Sequence, residues 1–276
     1  MQNRTANAAN AVIPADPRPV VREITPDAIL AALRAGWSDF LAMPSHLGFV
    51  AIFYPLFGIV MGTFVLSEYG YALVFPLVAG FALVGPVAAV PLLEVSRRRE
   101  AGLETSWIEA ISALKRPALL SIALVALLLL AVFAAWMSAA QAIFAHFYAT
   151  DLPAGPLPYL GDVLTTARGW GLIVVGHAVG FVFAAIALAI GVVSLPLLVE
   201  RDVGAGVAVR TSIAAVRQNP RVMATWGAVV AGVLMVASLP LLVGLVVAMP
   251  VLGHATWHLY RRTIDRASVE RTPVRG

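Results

Sequence analysis

The sequence predicts an all-α membrane protein: a bundle of six transmembrane helices built from three hairpins, each hairpin preceded by an amphipathic helix at the cytoplasmic surface. Composition is the first reason. Of 276 residues, 60% are hydrophobic and 12% charged, whereas a water-soluble domain carries about 25% charged and about 45–50% apolar residues. Run length is the second, because several stretches reach the roughly 20 apolar residues needed to cross a hydrocarbon core of about 30 Å. The third is charge placement. With both termini on one side, Arg168 alone of the 19 Lys and Arg residues falls on the other, which is the asymmetry of the positive-inside rule.

In chain order, residues 1–25 contain no apolar run and are rich in proline and small polar residues. They read as a disordered arm and not as a cleavable leader. Residues 26–262 form the membrane domain. Its first span, about 46–66, opens HLGFVAIFYPLFGIVMG. SEYG turns the chain into a second span at about 71–93. A third, from SIALVALLLLAVFAAW, covers about 118–147 and is long enough to demand tilt, a kink or extension beyond the lipid. ATDLPAGPLPYLGD reads as a proline- and glycine-rich loop. The fourth span runs about 169–199. The fifth and sixth, about 222–238 and 241–260, meet at a turn near SLP, and a basic tail follows at 263–276.

An internal repeat supports three hairpins. The second, fourth and sixth helices end in related words: AAVPLLE, VSLPLLVE and VAMPVLGH. In each, a proline (Pro91, Pro196, Pro250) precedes the first strongly polar residue (Glu94, Glu200, His254) by three or four positions. The segments ahead of the odd-numbered spans also correspond. Each carries an apolar stripe at helical spacing: Ile29, Leu33, Trp37 and Leu41; Leu103, Trp107, Ile111 and Leu114; Val209, Ile213 and Val216. Each runs into a proline, at Pro44, Pro117 and Pro220. A basic amphipathic stretch of this kind suits a helix lying among lipid headgroups.

Few residues in this chain carry chemistry. With no cysteine, thiolate metal sites, iron–sulfur clusters and disulfides are excluded. His254 and His258 lie four apart on one helical face and could supply two metal ligands, with a third from Glu94, Glu200 or His46 near the same face. The plainer reading is a helix end, where histidine complements the helix dipole and the neighbouring Trp and Tyr belong to the interfacial aromatic belt. Glu94 and Glu200 sit where the dipole disfavours an acid, so each calls for a cationic partner. Arg97, Arg98 and Arg99, with Arg210 or Arg217, are the nearest candidates. A haem held by His146 and His177 would need both at one depth, facing each other. The remaining cations, Lys115, Arg116, Arg210, Arg217, Arg261 and Arg262 among them, read as membrane-surface residues facing anionic headgroups.

No phosphate-binding glycine loop, nucleophile elbow or intramembrane pair of carboxylates is present, and the arginines do not interleave with aromatics as a nucleic-acid surface would. GWSDFLAMPSHLGFVAIFY near the start, with AAVRQNPRVMATWGAVV and PLLVGLVVAMPVLGHATWHLYRR near the end, resembles the bacterial domain-of-unknown-function 2189 family. These are predicted integral membrane proteins, some labelled cytochrome c oxidase subunits. The resemblance implies a topology but no activity. Five histidines are too few for the haems and copper of a catalytic oxidase subunit. The expected protein is therefore a multi-pass protein of a bacterial inner membrane with both termini cytoplasmic and no cofactor. It would act through anionic lipids or another membrane complex. A small transporter with a vestibule lined by Glu94, Glu200 and His254, or a haem- or metal-binding accessory protein, is the alternative.

Overall fold

The computed structural model describes residues 19–43, 59, 70–106, 118–148, 151–239 and 242–274. The expected first span, apart from Ile59, lies outside these residues, as do His46, Lys115, Arg116 and most of the second amphipathic stretch. Among the described residues the chain is helical. The helices are α1 (Asp27–Ala42), α2 (Gly70–Ala88), α3 (Val90–Glu100), α4 (Leu119–Tyr148), α5 (Pro156–Thr165) and α6 (Ala167–Gly191). They continue with α7 (Ser194–Glu200), α8 (Ala205–Gln218), α9 (Pro220–Ser238), α10 (Leu245–Thr263) and α11 (Arg266–Arg271).

Four stretches are long and apolar enough to cross a membrane: Gly70–Glu100, Leu119–Tyr148, Ala167–Glu200 and Pro220–Ser238. They coincide with the expected second to fifth spans. α10, expected as a sixth, is not among them. Its first half is apolar, but from His254 onward Thr256, His258, Arg261 and Arg262 dilute the run. A second departure is α5, a helix within the stretch read as a loop. Pro156 supplies the fixed φ favoured at a helix start, and Gly155 turns the chain there with φ +94°.

The two proline–glutamate words explain where the spans end. Proline has no N–H to give the carbonyl four residues back, so Pro91 and Pro196 free the carbonyls of Val87 and Val192. The helices break there, at Ala89 and at Val192–Val193, and restart as α3 and α7. At the second break, the Ser212 hydroxyl accepts the Val193 N–H at 3.1 Å. Pro250, in the third word, sits inside an unbroken helix. A 31-residue stretch such as Gly70–Glu100 is about 45 Å long at 1.5 Å per residue, so about ten residues extend past a 30 Å core.

Those extensions hold the best-buried part of the molecule. Leu92, Leu93, Leu195, Leu197, Leu198, Trp257 and Leu259 are each no more than 2% exposed, where α3, α7 and α10 pack together. The lipid-crossing portions of α2, α4 and α9, in contrast, leave most of their side chains uncovered. The difference follows from the solvent. Apolar side chains gain little by leaving lipid for one another, but beyond the lipid each buried leucine is worth about 1.5–3 kcal/mol.

Two of the amphipathic helices, α1 and α8, lie among the described residues, and both pack on that core. α1 runs along α10 and buries Ile29, Ala32, Gly36 and Asp39. Of the expected stripe, Trp37 and Leu41 face outward, 47% and 66% exposed. α8 packs on α6 and α7 through Ala208, Thr211, Ser212 and Ala215, while Val209, Ile213 and Val216 are half-buried. α1 can approach α10 closely because residue 36 has no side chain. A Cβ there would lie 2.6 Å from the Ala255 nitrogen and 2.8 Å from its Cα. Neither backbone atom can rotate away, so Gly36→Ala is expected to cost about 1–3 kcal/mol by overpacking. Thermal unfolding in detergent measures it, and wild-type stability would mean that the two helices are not seated at this distance.

The first described residues pair with those around the end of α10. Residues 19–25, assigned to a disordered arm, are pinned, as is the start of the segment read as a tail. Val21 and Ile264 form a β-bridge, the Arg22 N–H donates to the Thr263 carbonyl at 2.7 Å, and the Val20 N–H donates to Ser268 Oγ at 2.8 Å. Asn219 closes the seam. Its Oδ1 accepts the Ile24 N–H at 2.8 Å and its Nδ2 donates to the Arg22 carbonyl at 3.0 Å.

Candidate functional site

The described helices leave two polar ends, separated by the length of α4. At one, Ser121 Oγ donates to Asp202 Oδ1 at 2.7 Å. At the other, Tyr148 donates to Asp162 Oδ2 at 2.7 Å. The second end holds Arg168, the lone cation expected there. Its guanidinium grips Asp162 through two 2.8 Å bonds and reaches Asp151 at 3.1 Å. It also stacks 4.8 Å over the Tyr148 ring. The Arg168 and Tyr148 hydrogen bonds hold the Asp162 carboxyl down at about 2. Burial, with Tyr71 and Asp162 nearby, pushes the Tyr159 phenol up to about 12. This clamp ties the loop before α5 to the start of α6.

The basic end holds Glu94, Glu200 and His254 in two adjoining networks, while His46, expected with them, lies outside the described residues. In the first, Glu94 is fully buried and paired bidentately within its own helix, with Arg97 Nε and Nη2 at 2.6 and 2.7 Å and Arg98 Nη1 at 3.9 Å. The expectation of a partner among Arg97–Arg99 is met. Glu200 differs: its partners come from α10 and not from Arg210 or Arg217. The Tyr260 hydroxyl donates to it, and Arg261 Nη1 lies 2.9 Å from Oε1. Arg261 also binds Glu100, its Nη2 2.9 Å from Oε1, and the Trp257 indole N–H donates to the same carboxylate at 2.8 Å. Arg261 is thus a bridge between two acids on α3 and α7, and its side chain is 13% exposed. Arg261, expected at the headgroups, is thus engaged by acids of the protein itself, as Arg97 is by Glu94.

The second network is centred on a residue that sequence reading passed over. Asp39 of α1 accepts the Ser96 hydroxyl at 2.6 Å and the His258 Nε2–H at 2.8 Å, both on Oδ2, while Arg99 Nη1 lies 3.1 Å from Oδ1. A serine hydroxyl has one proton. With that proton on Asp39, the 2.8 Å contact between Ser96 Oγ and His254 Nδ1 is one in which His254 donates. His254 and His258 therefore each spend a ring nitrogen on the clasp that joins α1, α3 and α10. Burial works against the Asp39 charge, but the His258 and Ser96 hydrogen bonds outweigh it and hold the carboxyl below its ordinary value.

As for metal chemistry, no group of three or more His, Asp or Glu side chains among the described residues is arranged to hold a metal ion. His46, named as a third ligand, lies outside those residues. The His146–His177 pair fails its own condition of equal depth. Tyr148 and Arg168 are level, as their stacking shows. His146 is then two residues from that end and His177 nine, a difference in depth of about 10 Å. Each ring is also occupied locally. His177 Nδ1 donates to the Ile173 carbonyl at 2.7 Å beside Phe75, and His146 lies against Phe147.

Asp39 left a weak trace in the sequence. Positions 29, 32, 36 and 39 form one helical stripe, Ile-Ala-Gly-Asp, whose small members permit close approach. The stripe chosen by hydrophobicity alone, 29–33–37–41, lies partly on the opposite face. Ser96, Glu100 and Asn219 left none, since their partners lie far away in the chain.

No curated protein matches the chain, and no solved structure does. A family model does match, over a narrower region than the resemblance suggested. It spans both proline–glutamate words and stops before the HATWHLYR word of α10. Residues 74–200 of this chain match the family of predicted integral membrane proteins DUF2189.

Proposed function

We propose that this protein is a non-enzymatic, multi-pass scaffold of a bacterial inner membrane, with six spans in three hairpins and its basic end in the cytoplasm, acting through anionic lipid headgroups and a neighbouring membrane complex. One observation carries the reading: the arginines at the basic end fall into two groups. Arg97, Arg99 and Arg261 are spent on Glu94, Asp39, Glu100 and Glu200. Arg34, Arg210, Arg217 and Arg221 are exposed and form no ion pair among the described residues. Cations in the second group suit an anionic leaflet, where each is worth about 1 kcal/mol.

A transport path lined by Glu94, Glu200 and His254 draws no support from this geometry, since Arg97, Arg261 and Ser96 engage all three. The test is reconstitution in nanodiscs of phosphatidylcholine with increasing phosphatidylglycerol. Thermal stability is expected to rise with the anionic fraction, and to lose that dependence when Arg34, Arg210, Arg217 and Arg221 are changed together to Gln. A stability indifferent to lipid charge in the unaltered protein would overturn the proposal.

A further inference from the structure

We infer that the groove between the start of α4, α8 and the segment after α11 is a discrete binding site for one anionic phospholipid. The inference rests on the lipid-contact reading above and narrows it to a place. The groove encloses about 430 Å³ and is lined by Leu124, Val203, Val207 and Val274, with Arg210 the one charged side chain among the described residues that line it.

Three features select the occupant. First, the cation is uncommitted. The neighbouring acid, Asp202, is taken by the Ser121 hydroxyl and the Gly204 N–H, and Arg210 has no ion pair among the described residues. Second, the apolar wall continues into the bilayer face. Leu124 is 43% exposed and stands in line with the exposed Leu120, Leu127 and Leu128 of α4, so the groove opens directly onto acyl chains. Third, its level is fixed. Leu124 lies one turn inside Ser121, whose bond to Asp202 marks the polar end of α4.

A molecule with a negative headgroup at Arg210 and a hydrocarbon chain along Leu124 and Leu127 satisfies both halves. A free inorganic anion leaves the apolar wall unused, and in a zwitterionic lipid such as phosphatidylcholine the trimethylammonium offsets the phosphate that would meet Arg210. The site would hold a phospholipid in place while the bulk annulus exchanges, and would couple α8 to α4 through it.

Native mass spectrometry of the full chain, delipidated in detergent and titrated with phosphatidylglycerol or phosphatidylcholine, tests this. The expected result is one phosphatidylglycerol retained in preference to the rest, with apparent affinity falling about five- to tenfold in Arg210→Gln and recovering in Arg210→Lys. Leu124→Trp, which fills the apolar half, should lose the same lipid. Arg34→Gln, on α1, should keep it, and a thermal unfolding curve on each sample confirms that the variant is folded. Equal weakening in Arg34→Gln and Arg210→Gln, or none in Arg210→Gln, would overturn the site while leaving the broader lipid reading standing. Absence of any preference for phosphatidylglycerol in the unaltered chain would overturn both.

Discussion

Glu94→Ala is expected to destabilise the protein by about 3–5 kcal/mol, the cost of removing one partner from a buried ion pair. The Glu94 side chain is 0% exposed and that of Arg97 is 20% exposed, so water cannot replace the lost carboxylate. The guanidinium would keep its charge, because arginine does not deprotonate in proteins, and would lose both of its short hydrogen bonds at once. Glu94→Gln retains one acceptor oxygen and should fall between. Removing both charges is informative: Glu94→Ala with Arg97→Met should recover part of the loss, because the orphaned cation goes too. The exposed pair Arg266–Glu270, with side chains 65% and 69% exposed, is the contrasting case, where truncation should cost no more than about 0.5 kcal/mol. Chemical unfolding in detergent micelles gives all four numbers. A Glu94→Ala chain within 1 kcal/mol of wild type would show that this acid does not sit in a closed pair.

Four spans were legible because hydropathy over 20 residues overwhelms every local signal. The expected 118–147 and 222–238 became Leu119–Tyr148 and Pro220–Ser238. The breaks inside the second and fourth spans were half-legible, since Pro91 and Pro196 were noticed but read as a motif and not as interruptions. The α5 helix was hidden by composition. Pro and Gly clustered at its start read as a loop, although a proline in the first turn favours a helix and only one further in disrupts it.

The role of each arginine could not be read from the chain. The positive-inside pattern sums charges by side and ignores whether a given cation faces lipid, water or an acid. Arg261 and Arg262 are sequence neighbours. Yet one bridges Glu100 and Glu200, while the other is exposed and reaches only the His258 carbonyl, at 3.2 Å. A step of 100° around α10 separates them, and only the positions of α3 and α7 decide which of them meets the acids. The same holds for Glu200, whose partner was sought on the following helix, α8, but comes from α10, sixty-one residues on.

Asp39→Ala is the second substitution with a large expected effect, about 2–4 kcal/mol, because it strips a buried acceptor from three donors at once. Ser96, His258 and Arg99 all converge on this one carboxylate, and no other acid of α1 lies on the helix face that meets α10. Asp39→Asn keeps the shape but offers one acceptor oxygen in place of two, with an amide N–H facing a donor, so it should lose most of the same stability. The pH dependence carries a definite sign. Asp39 titrates lower in the folded chain than its ordinary 3.8, so the folded state binds this proton less readily than the unfolded state does. Its contribution is therefore complete above the ordinary value and drains away as pH falls below it, through the lowered folded value. Wild type should lose stability more steeply than Asp39→Asn between neutral pH and that acid range, and the two curves should converge at the acid end. Parallel curves for the two proteins across the whole range would show that the clasp joining α1 to α10 does not depend on the Asp39 charge.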